Sequence, residues 1–130
     1  MQEENYLYAV SDVTTTAVLN DLCQTVYQDN VNAGWWDQAD NPLVVPTKIA
    51  LVHSELSEAL EAHRKDDMDD KLPHHPGVAV ELADAVIRIL DLCGHLNIDL
   101  GSILAEKAAY NAQRSDHKPE NRSKKGGKKY

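Results

Sequence analysis

One stretch, Thr47 to Lys65, leaves this chain little choice of fold. Ile49, Val52, Leu56, Ala59, Leu60 and His63 recur at three- and four-residue steps with no internal Gly or Pro, so the segment reads as an amphipathic helix. Asp66 to Gly77 breaks it, with the charged run Asp66-Asp67-Met68-Asp69-Asp70-Lys71 followed by Pro73, His74, His75 and Pro76. A second strong helix is expected from about Val78 to His95, carrying Leu82, Ala85, Val86, Ile89, Leu90 and Cys93, with Gly94 and Asn97 as end signals. A connection this short favours antiparallel packing of the two.

Two weaker helices flank this pair. Val18, Leu19, Leu22, Cys23 and Val26 give helical spacing to about Val13 to Val31, and Asp99 can cap a shorter helix running to about Gln113 on Ile103, Leu104, Ala108 and Tyr110. Between the first helix and the strongest one, Asn30 to Pro46 is full of turn formers and helix breakers and reads as a long loop. No strand-period alternation and no internal repeat is present. The expected fold class is all-α, a bundle of about four helices. A chain of 130 residues is long enough for one domain. That domain is expected over residues 1–116, followed by a flexible basic tail over 117–130.

The acids fall in a pattern on the two strong helices. Glu55 and Glu58 are three apart, one turn along one face, and Glu81 and Asp84 repeat the spacing on the next helix. Each pair borders the apolar stripe: Val52, Leu56 and Ala59 flank the first, Leu82, Ala85 and Val86 the second. If the stripes face each other, four carboxylates converge. At about 4 Å and an effective dielectric near 20, each like-charge pair repels by roughly 4 kcal/mol. Such a cluster must either take up protons or hold cations, and all-oxygen ligation suits magnesium or manganese. A single E-x-x-E on a helix is usually just a solvated face; two pairs on core-bordering arcs of consecutive helices are much rarer. A di-iron bundle would need Glu-x-x-His on two helices, and the residues three after Glu55, Glu58 and Glu81 are Glu58, Glu61 and Asp84.

With these residues in view, the chain resembles the MazG-like all-α nucleoside triphosphate pyrophosphohydrolases. Their E-x-x-E and E-x-x-D motifs read here as Glu55-Leu56-Ser57-Glu58 and Glu81-Leu82-Ala83-Asp84. The words around them are similar too: the helix Lys48 to Ala62, the aromatic loop Gly34-Trp35-Trp36-Asp37, the closing Lys107-x-x-x-Asn111-x-x-Arg114, and the final Gly127-Lys128-Lys129-Tyr130. The resemblance covers about Asn32 to Arg114. Trp35 departs from it, since relatives more often carry a smaller or different aromatic residue there.

The resemblance implies metal-dependent hydrolysis of a (deoxy)nucleoside triphosphate to the monophosphate and pyrophosphate, for cleaning or remodelling nucleotide pools, with a purine such as dGTP among the candidate substrates. Glu55, Glu58, Glu81 and Asp84 would hold Mg2+ or Mn2+ between the two central antiparallel helices. Glu55 and Glu58 would also orient the attacking water, with Glu55 the leading candidate for the base. Asn32, Trp36, Lys48, Lys107, Asn111 and Arg114 are the candidate substrate contacts: Trp36, and with it Trp35, for base stacking, Asn32 for the base edge, the basic residues and Asn111 for phosphate or sugar oxygens. A homo-oligomer, tetramer or dimer, is also implied. The competing reading is a non-catalytic acidic helical module that binds a nucleotide or a protein partner. His74 and His75, between two prolines, fit an exposed turn better than a metal site, and His53 and His63 fit packing or surface positions.

Composition narrows the partners. The net charge is −8, yet Lys118, Arg122, Lys124, Lys125, Lys128 and Lys129 crowd the last stretch against a lone Glu120, so the body is more acidic still. An acidic body repels a phosphate polymer, which argues against nucleic-acid binding. No apolar run is long enough to span a membrane, and the acidic start Met1-Gln2-Glu3-Glu4-Asn5 lacks a secretory h-region. Cys23 and Cys93 stand alone in apolar patterns and read as buried reduced thiols. The expected location is the cytoplasm, that of the host if the chain is phage-encoded.

Overall fold

In the computed structural model, residues 12–130 are described, so Met1–Asn5 and the opening of the domain expected over 1–116 lie outside the described residues. Helix α1 spans Val13–Asn32, α2 Val44–Lys65, α3 Gly77–His95 and α4 Leu100–Gln113. A 3-10 turn at Ser115–His117 and a short α5 at Pro119–Arg122 follow. No strand occurs among the described residues beyond an isolated bridge between Met68 and Pro76. The described residues are therefore all-helical with four long helices, none of them long and apolar enough to cross a membrane.

The ends of the helices follow local chemistry. α2 starts at Val44, three residues before the expected Thr47, because Pro46 falls in the first turn, where its missing N–H would have had no intrahelical partner. It stops at Asp66, whose left-handed backbone (φ 52°) turns its N–H back onto the carbonyls of Ala62 and His63. α3 ends two residues before Asn97, which also adopts a left-handed conformation (φ 53°). Asp99 caps α4 as expected, accepting from the Ser102 N–H at 3.1 Å.

The chain forms two compact units, residues 21–98 and the described residues 12–20 with 99–130. In the first, α2 and α3 run antiparallel: Gly77 at the start of α3 lies against Ala62 near the end of α2, while Arg88 meets Glu55 in its middle. Small residues line this contact. Ala59, Ala85 and Gly77 are buried, whereas Leu56, Leu60, Leu82 and Val86 are about half exposed. The face expected to bury Leu56, Leu82 and Val86 is thus rotated. A 100° step per residue turns Leu56 away when Glu55 and Ala59 face inward. Gly94, inside α3, permits close approach of α1: a Cβ there would collide with the Tyr27 side chain and the Cys23 carbonyl. Cys23 and Cys93 are buried and free, and burial pushes both thiols above their ordinary range.

In the second unit, the Asn20 amide ties α1 to α4. Its Nδ2 donates to Asp99 at 2.7 Å and its Oδ1 accepts from the Gly101 N–H at 3.0 Å. The basic segment after Arg114 carries its own contacts: Lys128 Nζ lies 3.0 Å from Asp116, which also pairs with Arg114 at 2.6 Å.

Candidate metal centre

Gly77 packs against Ala62 where α3 begins beside the end of α2, and further along the same helix pair the acids of both helices come together. Glu55, Glu81 and Asp84 each present an oxygen such that all three atoms lie within 4.8 Å of one another. Glu55 is buried (8% exposed), while Glu81 and Asp84 are half-buried. Glu58 lines the same cavity but is exposed and stands outside that group of three. The structure therefore brings together three of the four expected carboxylates and leaves Glu58 at the wall.

The electrostatics bear the mark of crowding. Loss of hydration, a hydrogen bond shared with Glu55, and the neighbouring charges of Glu58, Glu55 and Asp84 push the Glu81 carboxyl from 4.5 up to about 7. Arg88 supplies the nearest positive charge, its Nε donating to Glu55 Oε1 at 2.5 Å. Oxygen-only donors from two rigid helices fit a hard divalent cation such as magnesium or manganese, and they offer nothing to a soft metal.

The cluster forms part of the wall of a cavity of about 840 Å³, within the range of small-molecule sites. Lys48, Lys71 and Arg88 line it as well, so the cavity carries basic groups beside its acids. Lys71 comes from the α2–α3 connection, where buried Asp69 holds the turn by accepting from the N–H groups of Lys71 and Leu72 at 2.9 and 2.6 Å. Asn30 and Trp35 contribute at the same cavity.

Nothing among protein-family models, curated proteins or solved structures matches the chain. The site must be read from its own geometry.

The expected substrate contacts divide. Lys48 is on the cavity, its ammonium 4.4 Å from the Trp36 ring centre and 3.4 Å from the Trp35 carbonyl. Trp36 is not placed where a base could stack. It is 5% exposed, lies on the His95 ring at 4.0 Å, meets Tyr27 edge-on, and donates its Nε1 hydrogen to Asp91 at 2.9 Å. The exposed aromatic of the pair is Trp35, 70% accessible and lining the cavity. Asn32 ends α1 with its side-chain oxygen accepting from Gln28 Nε2 at 3.1 Å, and the cavity is met instead by Asn30.

Lys107, Asn111 and Arg114 belong to the other unit. There Arg114 is engaged bidentately by Asp116 (2.9 and 2.6 Å) and reaches Asn111 at 3.3 Å, while Lys107 lies 4.7 Å from the Tyr110 ring centre. Arg114 and Lys128 hold the Asp116 carboxyl well below the usual carboxylate range.

Sequence reasoning missed Arg88 and Asp91. Both carried a signal: Glu81, Asp84, Arg88 and Asp91 follow at steps of three, four and three, one continuous face of α3. Asp91 is 5% exposed and lines the cavity. Among the described residues no fully buried side-chain oxygen or nitrogen lacks a partner.

Proposed function

We propose that the chain is a magnesium- or manganese-dependent nucleoside triphosphate pyrophosphohydrolase, as its likeness to the MazG-like enzymes implies. One observation carries the reading: carboxylate oxygens of Glu55, Glu81 and Asp84, from both halves of the E-x-x-E and E-x-x-D pattern, lie within 4.8 Å on the wall of a nucleotide-sized cavity. Bound there, the divalent ion would supply positive charge to the triphosphate and make an attacking water more acidic.

The chain's own groups would do the rest. Lys48 and Lys71, which line the cavity, would meet the phosphate oxygens as point charges. Glu58, exposed beside the cluster and not drawn into it, is free to orient the water and accept its proton. Trp35 offers an open ring for the base, while Trp36 and Asp91 form the rigid support beneath that loop. The half-exposed Leu56, Leu60, Leu82 and Val86 recur at helical spacing and support the reading that a second copy of the chain covers them, as expected of a cytoplasmic homo-oligomer.

The test is pyrophosphate release from a panel of dNTPs and NTPs with magnesium or manganese, with identification of the monophosphate. Release from at least one nucleotide, abolished by chelator, is expected. Folded protein that binds manganese and cleaves none of them overturns the assignment.

A further inference from the structure

Arg88 stands apart from the other cations of the cavity. It lies on the same face of α3 as Glu81 and Asp84, seven and four residues further on, and reaches across to α2. Its contact with Glu55 uses Nε alone. Among the described residues neither terminal amino group of the guanidinium meets an acceptor, and Arg88 lines the cavity with a side chain 37% exposed. Glu55, by contrast, has a side chain only 10% exposed, so it has little water to replace the guanidinium if that leaves.

Glu55 therefore has two claims on it. Without metal, its buried charge is balanced by Arg88. A divalent cation held by Glu55, Glu81 and Asp84 would meet that same guanidinium at close range, and the two positive charges repel. The guanidinium has somewhere to go, because its stem is flexible, its outer edge already borders the cavity, and its planar fork matches phosphate oxygens.

We propose that Arg88 is the resident counter-ion of Glu55, displaced when a divalent cation arrives and thereby released to bind the phosphates of the incoming nucleotide. The proposal rests on the metal site proposed above. It makes metal and Arg88 competitors for Glu55 in the absence of nucleotide, and partners once the triphosphate is present. Arg88 is on this view a positioning residue before the substrate arrives and a phosphate contact afterwards.

The experiment is a manganese titration of the full chain without nucleotide, read by the electron paramagnetic resonance signal of free Mn2+, for the wild type and Arg88→Gln. The variant is expected to bind manganese at least fivefold more tightly, and to bind a non-hydrolysable triphosphate at least tenfold more weakly at saturating manganese. Equal or weaker manganese binding by a folded Arg88→Gln protein overturns the proposal. A wild type that binds no manganese overturns the metal site itself, and the proposal with it.

A second measurement needs no variant. The Arg88 Nε–H, followed by proton–nitrogen NMR, should exchange slowly with solvent in chelator and rapidly after addition of magnesium. Protection that survives saturating magnesium means that the ion pair persists, and the displacement is refuted.

Discussion

Replacing Glu81 with Gln should remove a pH dependence that the crowded carboxylates build into the metal-free protein. The folded Glu81 carboxyl titrates at about 7 against an ordinary 4.5, first because it is desolvated and then because Glu55, Glu58 and Asp84 surround it. The folded state thus binds this proton more tightly than the unfolded state does. The associated stability is fully present below the unfolded value and disappears as pH rises through the folded one, so the window is about pH 4.5 to 8. The whole difference corresponds to at most about 3 kcal/mol. Glu81 is only half-buried, and solvent screening reduces this to about 1–2 kcal/mol. For a chain of this size that is a Tm change of about 3–8 °C. Gln is nearly isosteric and still donates toward Glu55, but it does not ionise. Paired thermal unfolding of wild type and Glu81→Gln, followed by circular dichroism in chelator at constant ionic strength, isolates the effect. The two proteins should melt together near pH 4, and the variant should be the more stable at pH 8. A difference that stays constant with pH, or that favours the wild type at pH 8, refutes the reasoning.

Other consequences are as direct. Asp84→Ala should lower turnover by more than the roughly 100-fold that an outer-shell partner of a metal is worth, while the metal-free Tm stays level or rises because one repelling charge is gone; Glu58→Ala should behave alike, and a still active or unfolded variant of either contradicts the site. Trp36→Phe should cost about 1–3 kcal/mol in urea unfolding, since the Nε1 bond to buried Asp91 is lost and the carboxylate keeps no other described partner. Gly94→Ala should destabilise by about 1–3 kcal/mol despite alanine's better helix propensity, because the new methyl meets Tyr27 and the Cys23 carbonyl; a stabilised variant would mean that α1 and α3 do not approach so closely.

Much of this arrangement is legible in the sequence, and the parts that are not have identifiable causes. Period and breakers locate α2, α3 and α4 to within a few residues, because Asp66, Asn97 and Asp99 are end signals with a mechanism. The spacing of Glu55, Glu58, Glu81 and Asp84 allows all four to converge if the two apolar stripes face each other, and three of them do. What spacing cannot tell is the rotation of each helix about its axis. Leu56 and Ala59 both fit an apolar stripe, and only packing decides that the small residue goes inside and the large one stays half exposed. The Trp35–Trp36 pair is undecidable for a similar reason. Adjacent identical side chains carry no pattern, and the choice falls to Asp91 and His95, about sixty residues away, which accept and stack on Trp36. Arg88 was readable from its register with Asp84, yet its pairing with Glu55 across the helix contact was not.

The small residues and the acids of this site are two sides of one constraint. Alanine and glycine at the α2–α3 contact let the backbones come close, and closeness forces Glu55, Glu81 and Asp84 within 4.8 Å. Bulky residues at those positions would hold the helices apart and let the carboxylates reach water, with no need of a counter-charge. As built, crowding in the metal-free cluster is relieved by the tightened hold of Glu81 on its proton and by the guanidinium held against Glu55. Below about pH 7, where Glu81 keeps its proton, these supply two positive charges, the same charge as one divalent ion. Exchanging them for the ion leaves the net charge of the cluster unchanged, so the helix contact need not loosen when the site fills. A packing that made the acids mutually repulsive without such substitutes would open in the absence of metal. Arg88 is therefore both the counter-charge of Glu55 in the metal-free protein and a prospective phosphate ligand, which is why its loss should tighten metal binding while weakening the nucleotide's hold.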